Sequence, residues 1–235
     1  MKLDEIRNEL RSCENSIIFA LLERNRWKRN EKAYHWMGGT TPLFESLLQS
    51  VEEAHARAGR YACPEEHPFT PVPSPPVSHP PYQLECFLEE NHTTINHNSR
   101  IRELYFRDVL PNITEEGHCE NQGSAVTADI HLLQAISRRI HLGKVVAESK
   151  YRDQPHVYNK LDTDETIIAH ITNDVVETCI IDRIRDKTSR FSDTQELVEV
   201  IVAVFRDIII PETKQVQLQY IRLKQGGAPP YGAVE

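Results

Sequence analysis

Glycine is scarce, with nine in 235 residues, and β-branched residues never gather into alternating runs, so a sheet protein is not indicated and helix is favoured. No stretch comes near the roughly 18 uninterrupted apolar residues that a membrane span needs. The opening Met1-Lys2-Leu3-Asp4-Glu5-Ile6-Arg7 is charged and has no apolar signal region, which reads as a cytoplasmic protein, with secretion as the alternative should a signal peptide have been removed. Two sequons, Asn91-His92-Thr93 and Asn112-Ile113-Thr114, matter only in the secreted case. The eleven histidines form no HExxH and no HxxxH pair, and the five cysteines (Cys13, Cys63, Cys86, Cys119, Cys179) form no CxxC, so no metal is expected and the thiols read as reduced and structural. A net charge of -8 without a basic face speaks against nucleic acid as a partner. It leaves room for a small anionic substrate, because a pocket's local field can oppose the global charge.

What is present is helical periodicity. Leu3, Ile6, Leu10, Cys13 and Ile17 form one stripe of a long amphipathic helix. A second helix is expected from Pro42 to about Arg60, with Thr40-Thr41 offering a cap. Eight prolines between 64 and 83 forbid helix and predict an extended surface connector; Pro73-Ser74-Pro75-Pro76 also has PxxP form. Helix resumes from about Asn98 to Leu110, ending before Pro111. The longest candidate spans about Ser124 to Tyr151, some 40 Å at about 1.5 Å per residue, with Gly143 its only internal break. Further helices are expected at about Thr163 to Ser189 (capped by Asp162 or Thr163), at about Asp193 to Phe205, and from about Ile209 through Pro211 to Lys224. Residues 1–224 would form the domain, and 225–235, rich in glycine and proline, a flexible tail.

Some polar residues are spaced to share a helix face. Arg139 and Lys150 are eleven residues apart, three turns; Asn173 with Glu177 and Thr213 with Gln217 are i,i+4 pairs. Spacing alone fits solvated faces better than a site and does not find one.

The run Ile136-Ser137-Arg138-Arg139-Ile140-His141-Leu142-Gly143-Lys144-Val145-Val146-Ala147-Glu148-Ser149-Lys150 resembles the central helix of fungal and plant chorismate mutases. Ile6-Arg7-Asn8-Glu9-Leu10 with Cys13-Glu14-Asn15-Ser16-Ile17-Ile18-Phe19 is similar to the family's opening. Ile171-Thr172-Asn173-Asp174-Val175-Val176-Glu177 and Ile210-Pro211-Glu212-Thr213-Lys214 resemble two further segments, in the expected order, so the likeness spans about residues 3 to 223. It implies an all-α, single multi-helix domain with a long central helix and an active site inside a helical bundle, paired into a homodimer. The implied reaction is the cofactor-free Claisen rearrangement of chorismate to prephenate, in the biosynthesis of phenylalanine and tyrosine. Such a reaction depends on holding a compact dianion and stabilising charge on its ether oxygen.

Carried over by position, the resemblance implies that Arg7 and Arg139 bind the two carboxylates and that Lys150 reaches the ether oxygen and one carboxylate. Asn173 and Glu177 would receive the ring hydroxyl, and Thr213 would assist a carboxylate. Gln217 stands where similar fungal enzymes often have a glutamate that must stay protonated; at pH 7 that would cost roughly 3.7 kcal/mol for a carboxyl of pKa about 4.3. The amide donates at any pH, so a flat profile between about pH 5.5 and 8.5 is expected. Regulated members bind an aromatic amino acid at the dimer interface through a Gly-Ser turn and two adjacent arginines. Asn121, Gly123, Ser124, Thr127 and Arg60 match, but Gly59 replaces the first arginine, removing a charge-assisted bond of about 1.5–3 kcal/mol. Control by tyrosine or tryptophan is therefore expected to be weakened or absent. The alternatives are a secreted mutase that diverts a host's chorismate, and a non-catalytic helical interaction protein docking through the proline-rich segment.

Overall fold

The computed structural model describes residues 3–35 (side chains from Glu5), 41–74, 87–192 and 194–226, and every regular element among them is helical. Helix α1 (Leu3–Asn25) buries Ile6, Cys13 and Ile17 of the expected stripe, together with Ile18 and Leu21, while Leu10 is half-buried. Helix α2 (Leu43–Arg57) starts one residue later than expected. Pro42 is itself the N-cap, in an extended conformation, and no side chain caps the helix. The chain leaves α2 through Gly59, at φ 79°, a left-handed position that favours glycine after a helix end.

The described part of the proline-rich connector has no helix and no strand. It is anchored by the buried Glu52 carboxylate, which accepts the backbone N–H of Phe69 (2.9 Å) and Thr70 (2.8 Å) and the Thr70 hydroxyl (2.7 Å). Pro75, Pro76, Pro80 and Pro81, and with them the end of the PxxP motif, lie outside the described residues, as does the tail from 227.

Pro111 does not end its helix. After α3 (Asn98–Leu104) comes a π-helical turn, Tyr105–Val109, and α4 (Leu110–Ile113) continues through the proline. The same device recurs where α10 (Gln195–Val204) passes through the π turn Phe205–Ile209 into α11 (Ile210–Lys224). Leu110 N–H bonds to Tyr105 O and Ile210 N–H to Phe205 O, five residues back. The wider turn admits a ring that an α-turn would clash with, and each proline then stands in the first turn of the next helix, where its missing N–H is harmless.

The long central helix is also interrupted. It forms α5 (Gln122–His141) and α6 (Gly143–Asp153), broken at Leu142, and a short α7 (Pro155–Tyr158) follows. The expected single helix from Thr163 is two: α8 (Asp164–Ile171), with Thr163 closing a capping box, and α9 (Asp174–Ser189), capped by Asn173. Helix α5 packs against α1, α2, α3 and α11, while α6 lies along α11 and α9 along α10. Leu132, Leu133, Ile136 and Ile140 of α5, Val145 of α6 and Val216 of α11 are buried in the same core as the α1 stripe. Each such side chain contributes about 1.5–3 kcal/mol on burial. The frame around the site is thus rigid where α5, α6 and α11 meet.

Candidate active site

Arg139 lies in the last turn of α5 and is 4% exposed. Its Nη1 donates to Thr213 Oγ1 at 3.4 Å, its Nε has no partner, and among the described residues it makes no ion pair. Burial pulls its pKa down, opposed by the charge of Glu14. A guanidinium so placed is a strong anion receptor whose bonds are unspent.

Helix α11 supplies the facing groups. Thr213 and Gln217 are one turn apart and both buried. Thr213 Oγ1 donates to Ile209 O (2.6 Å), the last residue of the π turn, which fixes its lone pairs relative to Arg139. Gln217 Nε2 donates to Thr213 O (3.3 Å), and its Oε1 accepts from Lys150 Nζ at 3.2 Å. Lys150, from α6, also donates to Ile171 O (2.9 Å) at the end of α8. Burial lowers the Lys150 pKa; Glu177 pulls it back up and Lys214 pushes it down. Glu177, in the first turn of α9, is paired with Lys214 Nζ at 3.0 Å. Asn173 is exposed, and its Oδ1 accepts Val176 N–H (3.1 Å), so its amide nitrogen is aimed by the cap.

The four- and eleven-residue spacings therefore become one cluster: Arg139, Thr213, Gln217, Lys150 and Glu177, linked through direct contacts or charge. Arg7 is exposed on α1, two helical turns before Glu14. Sequence reasoning did not single out Glu14, Arg183, Lys187 or Lys214. Glu14 is 1% exposed; Arg183 grips it with two bonds (2.9 and 2.7 Å) and Lys187 adds a third at 3.2 Å. Burial alone would raise the Glu14 pKa, but these cations outweigh it and hold the carboxyl below its ordinary range. The available signal was the i,i+4 pair Arg183 and Lys187, two like charges on one helix face that call for an anion between them. Cations outnumber carboxylates here although the chain as a whole is acidic.

The residues expected to bind an effector are elsewhere, along the first half of α5. Asn121 precedes the helix, Gly123, Ser124 and Thr127 are exposed in its first turns, and Thr127 Oγ1 donates to Gly123 O (2.8 Å). Arg60 is engaged internally: Nη2 and Nε hold Glu66 Oε2 at 2.9 and 3.1 Å, and Nη1 donates to Gln134 Oε1 at 2.8 Å and to His55 Nδ1 at 3.1 Å.

Residues 122–218, which carry α5, α6 and most of α11, match the family model described as chorismate mutase type II. The chain is similar to chorismate mutase 1, chloroplastic, of Petunia hybrida, at 35% identity over 241 residues, covering 93% of this chain and 74% of that protein. Its structure is similar to that of the chorismate mutase of Candida albicans in complex with L-Trp, with a TM-score of 0.88 and 32% identity, covering 97% of this chain and 93% of the other. A structure of AtCM1 with tyrosine bound in an allosteric site is similar at TM-score 0.86 and 34% identity, covering 94% and 95% of the two chains.

Proposed function

The chain belongs to the chorismate mutase family of isomerases, and on that premise we propose that the cluster around Arg139 rearranges chorismate to prephenate by binding and polarising the substrate, without a covalent intermediate and without a cofactor. The observation that carries this assignment is the buried Arg139 guanidinium, which makes no ion pair among the described residues and has an unpartnered Nε. A carboxylate arriving there receives parallel charge-assisted bonds in a dry site, the setting in which they are strongest. Arg7, at the exposed end of α1, takes the second carboxylate. Lys150 donates to the ether oxygen as its bond to carbon breaks, and Thr213 supports the carboxylate on Arg139. Asn173 and Glu177 hold the ring hydroxyl, with Lys214 Nζ fixing the Glu177 carboxylate at 3.0 Å. Arg139→Ala should lower kcat by about two to three orders of magnitude, the scale set by loss of one preorganised donor. Turnover near the wild-type rate in that variant would rule the assignment out.

Gln217 turns its oxygen toward Lys150 and one N–H toward Thr213 O, leaving its second N–H for the ether oxygen. Because an amide does not titrate, no acid must stay protonated and turnover holds from about pH 5.5 to 8.5. The alkaline limit belongs to Lys150, whose pKa burial lowers below the ordinary 10.5, so activity declines as pH rises toward that group and the amine loses its proton. Gln217→Glu should add a second decline at lower pH, above about 4.3 if the new carboxyl titrates normally. Measuring kcat from pH 4.5 to 9 for both proteins checks it; coincident profiles would contradict the role given to Gln217.

The protein functions as a homodimer in this reading, and tyrosine or tryptophan binds beside Gly123, Ser124 and Thr127. The similar structures that hold L-Trp or, in an allosteric site, tyrosine argue against the expected weakening of control, although glycine stands at position 59 and Glu66 and Gln134 fill the fork of Arg60. Saturating tyrosine or tryptophan should change the rate by about fivefold or more, the usual range of such coupling; an unchanged rate would contradict effector binding at this place.

A further inference from the structure

We propose that Gly143 is a positioning residue for the reaction: by having no side chain where α6 meets α11, it sets the approach that brings Arg139 to Thr213 and Lys150 to Gln217. The inference rests on the reading of that cluster as the active site. Gly143 is the first residue of α6 and is buried. A methyl group there would lie 2.9 Å from Thr213 O, 3.2 Å from Val216 Cγ1 and 3.3 Å from Thr213 Cγ2. The closest of these is backbone, so a rotamer change cannot relieve it, and the two helices must move apart. Backbone conformation is not the reason for glycine, since Gly143 is not among the positive-φ positions. Alanine is the better helix former, so local preference also argues against glycine here. Space for α11 is what remains.

The contact falls at the centre of the array. Arg139 lies one turn before Gly143 and Lys150 two turns after it, on the flanking lengths of α5 and α6. Facing them on α11, Thr213 is the residue that Gly143 touches, and its carbonyl oxygen is the same atom that accepts from Gln217 Nε2. Pushing that carbonyl away lengthens the 3.4 Å approach of Arg139 to Thr213 and the 3.2 Å approach of Lys150 to Gln217 together. Gly143 itself touches no substrate in this account. Its effect is felt by groups that stabilise the transition state, so it should appear in kcat more than in KM.

The test compares steady-state kinetics on chorismate, with far-UV circular dichroism and thermal unfolding, for wild type, Gly143→Ala, Arg139→Ala and Val198→Ala. Val198 is a buried core residue of α10 outside the site, so its truncation reports instability alone. Gly143→Ala should keep wild-type helicity and lose roughly tenfold in kcat with a smaller change in KM, while Val198→Ala keeps kcat. Wild-type kcat in Gly143→Ala, with Arg139→Ala inactive, overturns the positioning role and leaves the site intact. Wild-type kcat in Arg139→Ala overturns the site reading itself. Should Gly143→Ala not fold, Gly143→Ala/Val216→Ala is compared with Val216→Ala alone, which removes the 3.2 Å neighbour and leaves the backbone contact. A lower kcat in the double variant supports the proposal, and equal values overturn it.

Discussion

Enclosing a guanidinium in a helical bundle removes hydration that one 3.4 Å contact to a hydroxyl does not replace. Glu14 is felt at Arg139, yet its oxygens are engaged by Arg183 and Lys187. The empty protein should therefore be less stable than one with an apolar side chain of similar volume at the same place. Arg139→Met is expected to raise the unfolding free energy by about 1 kcal/mol or more while removing activity. Urea unfolding and kinetics on the same preparation check it, and a less stable variant would show that Arg139 is paired in a way the present contacts do not reveal. Asn173 separates two roles in the same manner. Its Oδ1 caps α9, and its Nδ2 is left for the substrate. Aspartate is as good a cap but has no donor. Asn173→Asp should unfold at the wild-type temperature and lose about tenfold in kcat/KM; equal losses of stability and activity would mean that Asn173 serves only the helix.

At the scale of elements, Ile6, Cys13 and Ile17 of the α1 stripe and Thr163 as one of two candidate caps for α8 were legible, because each depends on residues within one or two turns of each other. Three of the four breaks were not: the π turns before Pro111 and Pro211, and the division between α8 and α9. Pro111 looks like a helix end and Pro211 like a residue that a helix passes through, and the structure treats both alike by placing a π turn before each. Phe106-Arg107-Asp108 and Phe205-Arg206-Asp207 precede these prolines, a local repeat that periodicity does not detect. The break at Leu142 falls beside Gly143, the one internal break that the sequence offered there, while the close approach of Gly143 to α11 arises only on folding. Just beyond that break Lys144 is fully buried, donating to Pro64 O (2.6 Å) and His67 Nε2 (2.7 Å), with Glu65 as the carboxylate that most supports its charge. Burial lowers its pKa from the ordinary 10.5 to about 7. Between those values the unfolded chain binds more protons than the folded one, so this group's contribution to stability rises with pH from about 7 to 10.5 and is lost as pH falls through that window. Unfolding by urea at pH 7 and pH 9.5 should show a gain for wild type that Lys144→Met lacks; the same gain in both would assign it to other groups.

For the whole molecule, the informative feature is a contrast of charge. A chain of net charge -8 surrounds a cluster in which Arg139, Lys150, Lys214, Arg183 and Lys187 stand with the carboxylates Glu14 and Glu177. Composition could exclude a phosphate-backbone partner but could not reveal this local excess, since its members come from α5, α6, α9 and α11 and meet only on folding. Spacing offered pairs on single helices, and resemblance to a family joined them across helices. Arg7 and Asn173 are exposed, and Glu14 and Lys214 are what the structure adds to the residues that the resemblance named. The most direct test is to follow chorismate and prephenate together by NMR, using purified wild-type protein treated with a chelator and freed of small molecules. The account predicts chorismate loss matched one for one by prephenate at a rate unaffected by the chelator. Well-folded protein that leaves chorismate unchanged, or that works only when a metal or cofactor is restored, would contradict it.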